Sequence, residues 1–411
     1  MKPGENISFE LEGVVHKGLV LPSTDKIVQI KLENGYNIGV DSSKMKNVKV
    51  LPKVTSKSSS TEIKSDKKLP KITLISTGGT ITSRVDYKTG AVHPLSKPAE
   101  LLAQIPELSK IANLKIVSPF SVLSEDLTPK DWVKIAKIAV KELNDKSVQG
   151  VIITHGTDIL HYTASALSFM IGIPSKPVAL VGGQRSSDRG SFDGAINLIC
   201  AVHYCLSDIA AISIIMHENS SDEACLAIRG VKCKKMHTSQ RDAFQPINES
   251  PLARIFPDGK IEVLNNNYVR RSKAINYASS KLETKVALIK FVPGMDPEIL
   301  NYYLKQKYKG VILEGTGLGH VSSAWLPTIK KVSKELFIGM TSQCNYGRVD
   351  PFVYSTGRLL QEARVVYLED MLPETAYVKL MWAIANSKSV SVEKLMIGNR
   401  AGEISFRINK K

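Results

Sequence analysis

Between Lys71 and Gly183 the sequence alternates short apolar runs with longer stretches of helical periodicity, and few folds accept that alternation. KITLIS, NLKIVSPFSVL, GVIITHG and PVALVGG read as strands; PAELLAQIPEL, PKDWVKIAKIAVKEL and DILHYTASALSFMIG read as helices. Strands this uniformly apolar are buried on both faces, and connections long enough to hold a helix join parallel neighbours. The expected fold class is therefore α/β, a sheet with helices on both sides. In such sheets ligands collect at the carboxyl ends of the strands. Two Gly/Thr-rich stretches fall there: STGGT, residues 76–80, and THGTD, residues 154–158.

A second, smaller α/β unit follows, with KVALIKFVPG, GVILEGTGLGH, LFIGMTSQ and ARVVYLED as its strands. The pattern predicts a first α/β domain over 70–265 that carries the site, a connection from about Asn265 to Thr284, and a C-terminal domain over 285–411. Residues 1–52 differ in kind. Short alternating runs broken by turn signals, with Asn34-Gly35 marking a hairpin, predict a small SH3-like β-barrel of about five strands. Residues 53–69, rich in Ser and Lys and almost without apolar residues, read as a flexible linker. The barrel can recruit nucleic acid or protein, or serve as a spacer.

The formal net charge of +16 suggests an anionic partner such as nucleic acid, or simply a basic surface. Residues 1–70 carry only +4 of it, so the excess belongs to the body and not to a basic tail. The five cysteines include no C-x-x-C pair, which points to neither a disulfide framework nor a zinc site. Neither a signal peptide nor a bilayer-length apolar run is evident, so the expected location is the cytoplasm, with no membrane partner.

Chemistry concentrates in three places: STGGTI with Tyr87, ITHGTDIL, and KCKKMHTSQRDAF. A threonine hydroxyl attacks a carbonyl only if a neighbour takes its proton and donors hold the oxyanion. Thr80 can act as nucleophile with Tyr87 as proton acceptor. Thr157, Asp158 and Lys235 can form a second hydroxyl, acid and amine set. Backbone N–H groups around Gly79, Gly156 and Thr157 are candidate oxyanion donors.

Each piece has a plainer reading when taken alone. TGGT is a common tight turn, and it lacks the Gly-Lys-Ser/Thr ending of a phosphate loop. HGTD can merely cap the following helix. Lys235, in a basic run, can be solvated. His155 and His161 have no metal-ligand spacing, so no metal is expected. EGTGLGH lacks the full dinucleotide fingerprint.

Together, TGGTI and, roughly eighty residues later, HGTD resemble the L-asparaginase/glutaminase family over about residues 70 to 400. The resemblance implies an asparaginase-like two-domain α/β body. It also implies Thr80 as nucleophile, Tyr87 as its assistant, Thr157, Asp158 and Lys235 as the activating set, and Ser124 with Glu125 as the grip on the substrate's α-carboxylate and α-amino group. The segments VGGQRSSDRGSFDGAINL, EGTGLGHV and GRVDPFVYSTGRLL, with the extra N-terminal barrel, are most similar to the branch that forms glutaminase subunits of archaeal tRNA-dependent amidotransferases. That branch implies glutamine as substrate and no cofactor in this chain. Ammonia would pass to a partner, GatE, that uses ATP and magnesium to amidate Glu-tRNA(Gln), within a heterotetramer built on a homodimer. The alternatives are an independent cytoplasmic L-asparaginase and a non-catalytic sensor or RNA-binding scaffold on the same fold.

Overall fold

The computed structural model of the chain describes residues 1–23, 26–32, 37–52, 66, 68–79, 83–85, 92–94, 105–185 and 192–408. The N-terminal unit consists of β1 (Asn6–Leu11), β2 (Val14–Val20), β3 (Ile27–Leu32), β4 (Asn37–Asp41) and β5 (Lys46–Val50), in the spatial order β4-β3-β2-β1-β5. All its pairings are antiparallel. Period-2 alternation puts Ile7, Phe9, Val20, Ile30 and Val40 on one face, where with Met45 they form a small separate core. The Asn34-Gly35 turn lies outside the described residues, but the strands it joins pair as a hairpin would, Lys31 opposite Asn37. Most of the 53–69 segment also lies outside them, as do residues 98–104 of the helix expected around PAELLAQIPEL.

The body opens with β6 (Lys71–Ser76). Next come a short antiparallel pair, β7 (Ser83–Val85) and β8 (Val92–Pro94), then β9 (Asn113–Val117), β10 (Val148–Thr154), β11 (Val178–Val181) and β12 (Ile212–His217). The segments β13 (Cys225–Arg229), β16 (Ala253–Ile255) and β17 (Ile261–Val263) extend the sheet antiparallel, while β14 (Cys233–Lys235) pairs with β15 (Phe244–Pro246) beside it. The eight-stranded order is β17-β16-β13-β12-β11-β10-β6-β9. After β6 the chain goes to one side to make β9, then crosses back to make β10 on the other side. The strand order therefore reverses between β6 and β10, the place where open sheets of this kind leave a crevice.

Helix formation follows local chemistry. Pro129 opens the helix Pro129–Leu143, and Asp131 Oδ2 accepts from the Thr128 backbone N–H at 2.8 Å. The helix Leu160–Ile171 is buried along nearly its whole length and ends at Gly172, whose φ of 74° only glycine adopts readily. These two helices cover one face of the sheet; the helix Gly194–Leu206 covers the other.

Residues 264–285 cross to the second unit without helix or strand. There β18 (Val286–Lys290), β19 (Gly310–Gly315), β20 (Phe337–Ser342) and β21 (Val365–Tyr367) form a parallel sheet in that order. Its last long helix, Pro373–Asn386, packs back on the first domain, with Trp382 stacked against Phe169 at 6.3 Å between centroids. Polar groups reinforce the joint. Lys232 Nζ donates to Asp370 Oδ2 at 2.7 Å with both side chains almost fully buried, and burial holds the Lys232 ammonium below its ordinary pKa, partly offset by that carboxylate. Asn248 and Gly347 exchange two hydrogen bonds of 2.9 Å. Asn276, midway along the crossing, is tied to the first domain by Asn144 and Ser175 through five bonds of 2.6 to 3.2 Å.

Candidate active site

The parallel register that pairs Ser76 with Thr154 brings the ends of β6 and β10 level. Thr77 extends that register by one step: its N–H donates to the Thr154 carbonyl at 3.1 Å and its hydroxyl to the same oxygen at 2.9 Å. Beyond it Gly78 and Gly79 have φ of 105° and 86°, a conformation L side chains rarely adopt. The two glycines also serve close approach. A Cβ on Gly79 would run into the Gly156 backbone, and one on Gly78 into the Val122 backbone. Gly156 in turn lies against the Ser124 side chain, which is 3 % exposed. Three loops distant in sequence thus meet around Gly156.

For Gly79→Ala we expect glutamine or asparagine turnover to fall about 100-fold, because the loop must shift by roughly an ångström and misplacement of that size carries that order of penalty. Steady-state kinetics beside a thermal melt would show it, with wild-type turnover in a folded variant refuting the close-packing argument.

The second set is assembled across 77 to 78 residues. Lys235 Nζ donates to Thr157 Oγ1 at 2.9 Å and to Asp158 Oδ1 at 2.6 Å. It reaches them from β14, where alternation turns its neighbour Lys234 to Glu374 instead, at 2.9 Å. The Lys235 side chain is only 10 % exposed, so it is not a solvated member of a basic run. Nor do the threonine and aspartate cap the following helix, whose N-cap is Ile159 and which receives no side-chain cap bond. The plainer readings of HGTD and Lys235 therefore do not describe this structure.

The structure brings Gly79, Ser124, Gly156, Thr157, Asp158 and Lys235 together. Glu125 is exposed beside Ser124, whose hydroxyl donates to its carboxylate at 3.3 Å. Thr80 and Tyr87 lie outside the described residues. Among the described residues no cluster of His, Cys, Asp and Glu could hold a metal. The EGTGLGH stretch forms a closed turn, with Thr316 N–H donating to the His320 carbonyl at 2.8 Å.

Reading the sequence alone missed several neighbours of this set. Gln184 Oε1 lies 3.5 Å from Thr157 Oγ1, and Gly182 packs on the Thr157 methyl group. Behind the turn, Trp132 Nε1–H donates to Thr163 Oγ1 at 2.9 Å, Thr163 Oγ1 lies 2.8 Å from His155 Nε2, and His155 Nδ1 lies 2.6 Å from the Gly156 carbonyl. The available signal was a histidine directly after a buried, mostly apolar strand, a polar group that must find partners there.

Two buried histidines set an acid limit. Burial pulls His155 from 6.5 down to about 4, against the opposing hydrogen bond to Gly156. It pulls His161 equally far, with Glu374 opposing and Lys234 and Lys235 assisting. Between pH 6.5 and about 4 the unfolded chain binds protons that the folded chain refuses, so stability falls as pH is lowered through that window. The loss is about 3 kcal/mol per histidine at the low end. Urea unfolding at pH 7 and pH 4.5 measures it, and His161→Phe should flatten the slope; an unchanged slope would contradict this assignment.

Comparison with known proteins follows the same division of the chain. Residues 71–269 match the family model "Asparaginase, N-terminal", residues 285–396 the "Glutaminase/Asparaginase C-terminal domain", and residues 1–51 the "GatD N-terminal domain". Among solved structures, the thermostable L-asparaginase from Thermococcus kodakarensis aligns with a TM-score of 0.73 at 30% identity, covering 82% of this chain and 99% of that one. L-asparaginase I from Vibrio cholerae gives 0.70 at 27% identity, with the same coverage. The fold is thus the asparaginase-like two-domain α/β body with an added N-terminal unit. Along nearly the full length the chain is 48% identical to the GatD polypeptide of glutamyl-tRNA(Gln) amidotransferase from Pyrococcus furiosus, covering 98% of this chain and 93% of the relative. It is 45% identical to the polypeptide of the same name from Sulfolobus acidocaldarius, with coverage of 98% and 92%. The chain belongs to the GatD family of glutamyl-tRNA(Gln) amidotransferase subunits.

Proposed function

We propose that the chain is the glutaminase subunit of a tRNA-dependent amidotransferase, hydrolysing the side-chain amide of glutamine to glutamate and ammonia. The observation that carries this is the contact of Lys235 with Thr157 and Asp158 beside the Gly79–Gly156 junction. It occurs on a chain whose first 51 residues match a domain model named for GatD.

In this reading Thr80 Oγ, one residue beyond Gly79, attacks the amide carbon while Tyr87 receives its proton. The C–N bond then breaks, ammonia leaves with a proton, and water cleaves the acyl ester to regenerate the hydroxyl. Lys235 opposes charge developing on Thr157 Oγ1 as that hydroxyl exchanges its proton, and Asp158 fixes the ammonium in place. Ser124 and Glu125 hold the α-carboxylate and α-amino group. The chain needs no metal or organic cofactor for these steps. ATP and magnesium are used by the partner GatE, which accepts the ammonia and converts Glu-tRNA(Gln) to Gln-tRNA(Gln). The assembly is a homodimer of this chain within a heterotetramer, and it acts in the cytoplasm. Among the described residues no helix is long and apolar enough to cross a membrane.

An independent asparaginase is less well supported. The solved asparaginases are matched over almost their whole length yet leave part of this chain without a counterpart, whereas the GatD relatives account for nearly all of it. Glutamine turnover, with and without GatE and charged tRNA, tests the proposal. Stimulation by both together is the expected result; equal rates reject the coupling, and vigorous asparagine hydrolysis by the chain alone favours the rival.

A further inference from the structure

We infer that His155, which no proposed catalytic step uses, is a positioning residue that aims the Gly156–Thr157 peptide at the substrate through a buried relay from Trp132 and Thr163. The inference rests on reading the site as an amide hydrolase.

The direction of each hydrogen bond follows from donor chemistry. A carbonyl only accepts, so the proton between His155 Nδ1 and the Gly156 oxygen, 2.6 Å apart, belongs to Nδ1. The neutral ring then presents a lone pair at Nε2, which must receive the Thr163 hydroxyl proton across 2.8 Å. That hydroxyl, having spent its proton, is free to accept from Trp132 Nε1–H at 2.9 Å. The relay therefore runs one way: indole, hydroxyl, imidazole, carbonyl. Its side chains are buried, so water does not compete for them. The ring's preference for the neutral form fits this arrangement, since imidazolium would carry a second proton against Thr163.

The consequence comes from peptide geometry. Among the described residues no peptide bond is cis, and in a trans peptide the C=O and N–H point in opposite directions. With the Gly156 carbonyl held inward by His155, the Thr157 N–H must point away from the core. That N–H adjoins the hydroxyl held by Lys235, where a donor to the developing oxyanion is needed. Trp132 and Thr163 lie on the helices Pro129–Leu143 and Leu160–Ile171, so two rigid elements fix the aim of one peptide.

The test uses the full-length chain assembled with GatE and charged tRNA, and measures kcat and KM for glutamine. For His155→Leu, which cannot donate to the carbonyl, we expect kcat to fall about 10- to 100-fold with KM changed less than about threefold. His155→Asn, whose amide N–H takes the place of Nδ1–H, should recover most of that loss. Equal losses in the Asn and Leu variants, or wild-type kcat in a folded Leu variant, would overturn the inference. Should the Leu variant not fold, Thr163→Val and Thr163→Ser decide: a kcat loss in the first that the second recovers supports the relay, and no loss in the first overturns it. If wild type itself hydrolyses neither glutamine nor asparagine, the amide-hydrolase reading is what fails, and this inference fails with it.

Discussion

Replacing Lys235 with methionine should lower amide hydrolysis by about a thousandfold or more, within the range set by loss of a positioned proton-transfer or charge-stabilising group. The methionine keeps most of the stem's volume and removes only the ammonium, so packing beside β14 survives. What disappears is the donor that touches both Thr157 Oγ1 at 2.9 Å and Asp158 Oδ1 at 2.6 Å. The loss should appear in kcat, because the group acts on Thr157 and not on the substrate's distal end. Asp158→Asn should lose less: its side chain is 65 % exposed, and an amide oxygen still accepts from the ammonium. Steady-state assays of both variants provide the check, and a Lys235→Met enzyme within tenfold of wild type would remove this trio from the mechanism.

The largest effect on stability is expected at Asp370. Removing its carboxylate by Asp370→Ala strands the Lys232 ammonium, 1 % exposed, and should cost about 3 to 5 kcal/mol in urea unfolding. It also deprives the Ser405 N–H of its acceptor at 2.9 Å. A double replacement, Lys232→Met with Asp370→Leu, removes both buried charges and should cost much less than Asp370→Ala alone. Comparing the two separates the penalty of an orphaned charge from that of lost volume. Equal destabilisation would mean that packing at the domain junction, and not the ion pair, is what matters there.

Much of the architecture was legible because it is local. The helix Pro129–Leu143 runs where its residues indicate, with Pro129 at its first turn and Asp131 reaching back to Thr128. The apolar runs that became β6, β10 and β11 could be buried nowhere but mid-sheet. The site was legible in part. The turn-forming glycines and the HGTD run marked two loops, and the strand order shows why those two meet. Their union with Lys235 was named from residue chemistry and from the resemblance, but not how the lysine gets there, since β14 is a three-residue strand whose place depends on β15 and the antiparallel extension through β13, β16 and β17. The relay behind His155 was hidden for a similar reason. A tryptophan on an amphipathic helix and a threonine on an almost wholly buried one look like ordinary core members until the helices are set side by side.

The fastening of the two α/β units limits how the enzyme can work. The Lys232–Asp370 pair and the adjoining Asn248–Gly347 bonds hold one stretch of the seam, and the Lys234–Glu374 pair and the Phe169–Trp382 stack along the helix Pro373–Asn386 hold another, a fastening that opposes a swing of one lobe on the other. Admission of substrate and escape of product are then expected to use rearrangements smaller than a lobe. A partner that docks on this body meets a preset platform, and the parts of the proposed site left to respond to it are the loops at the sheet's carboxyl edge.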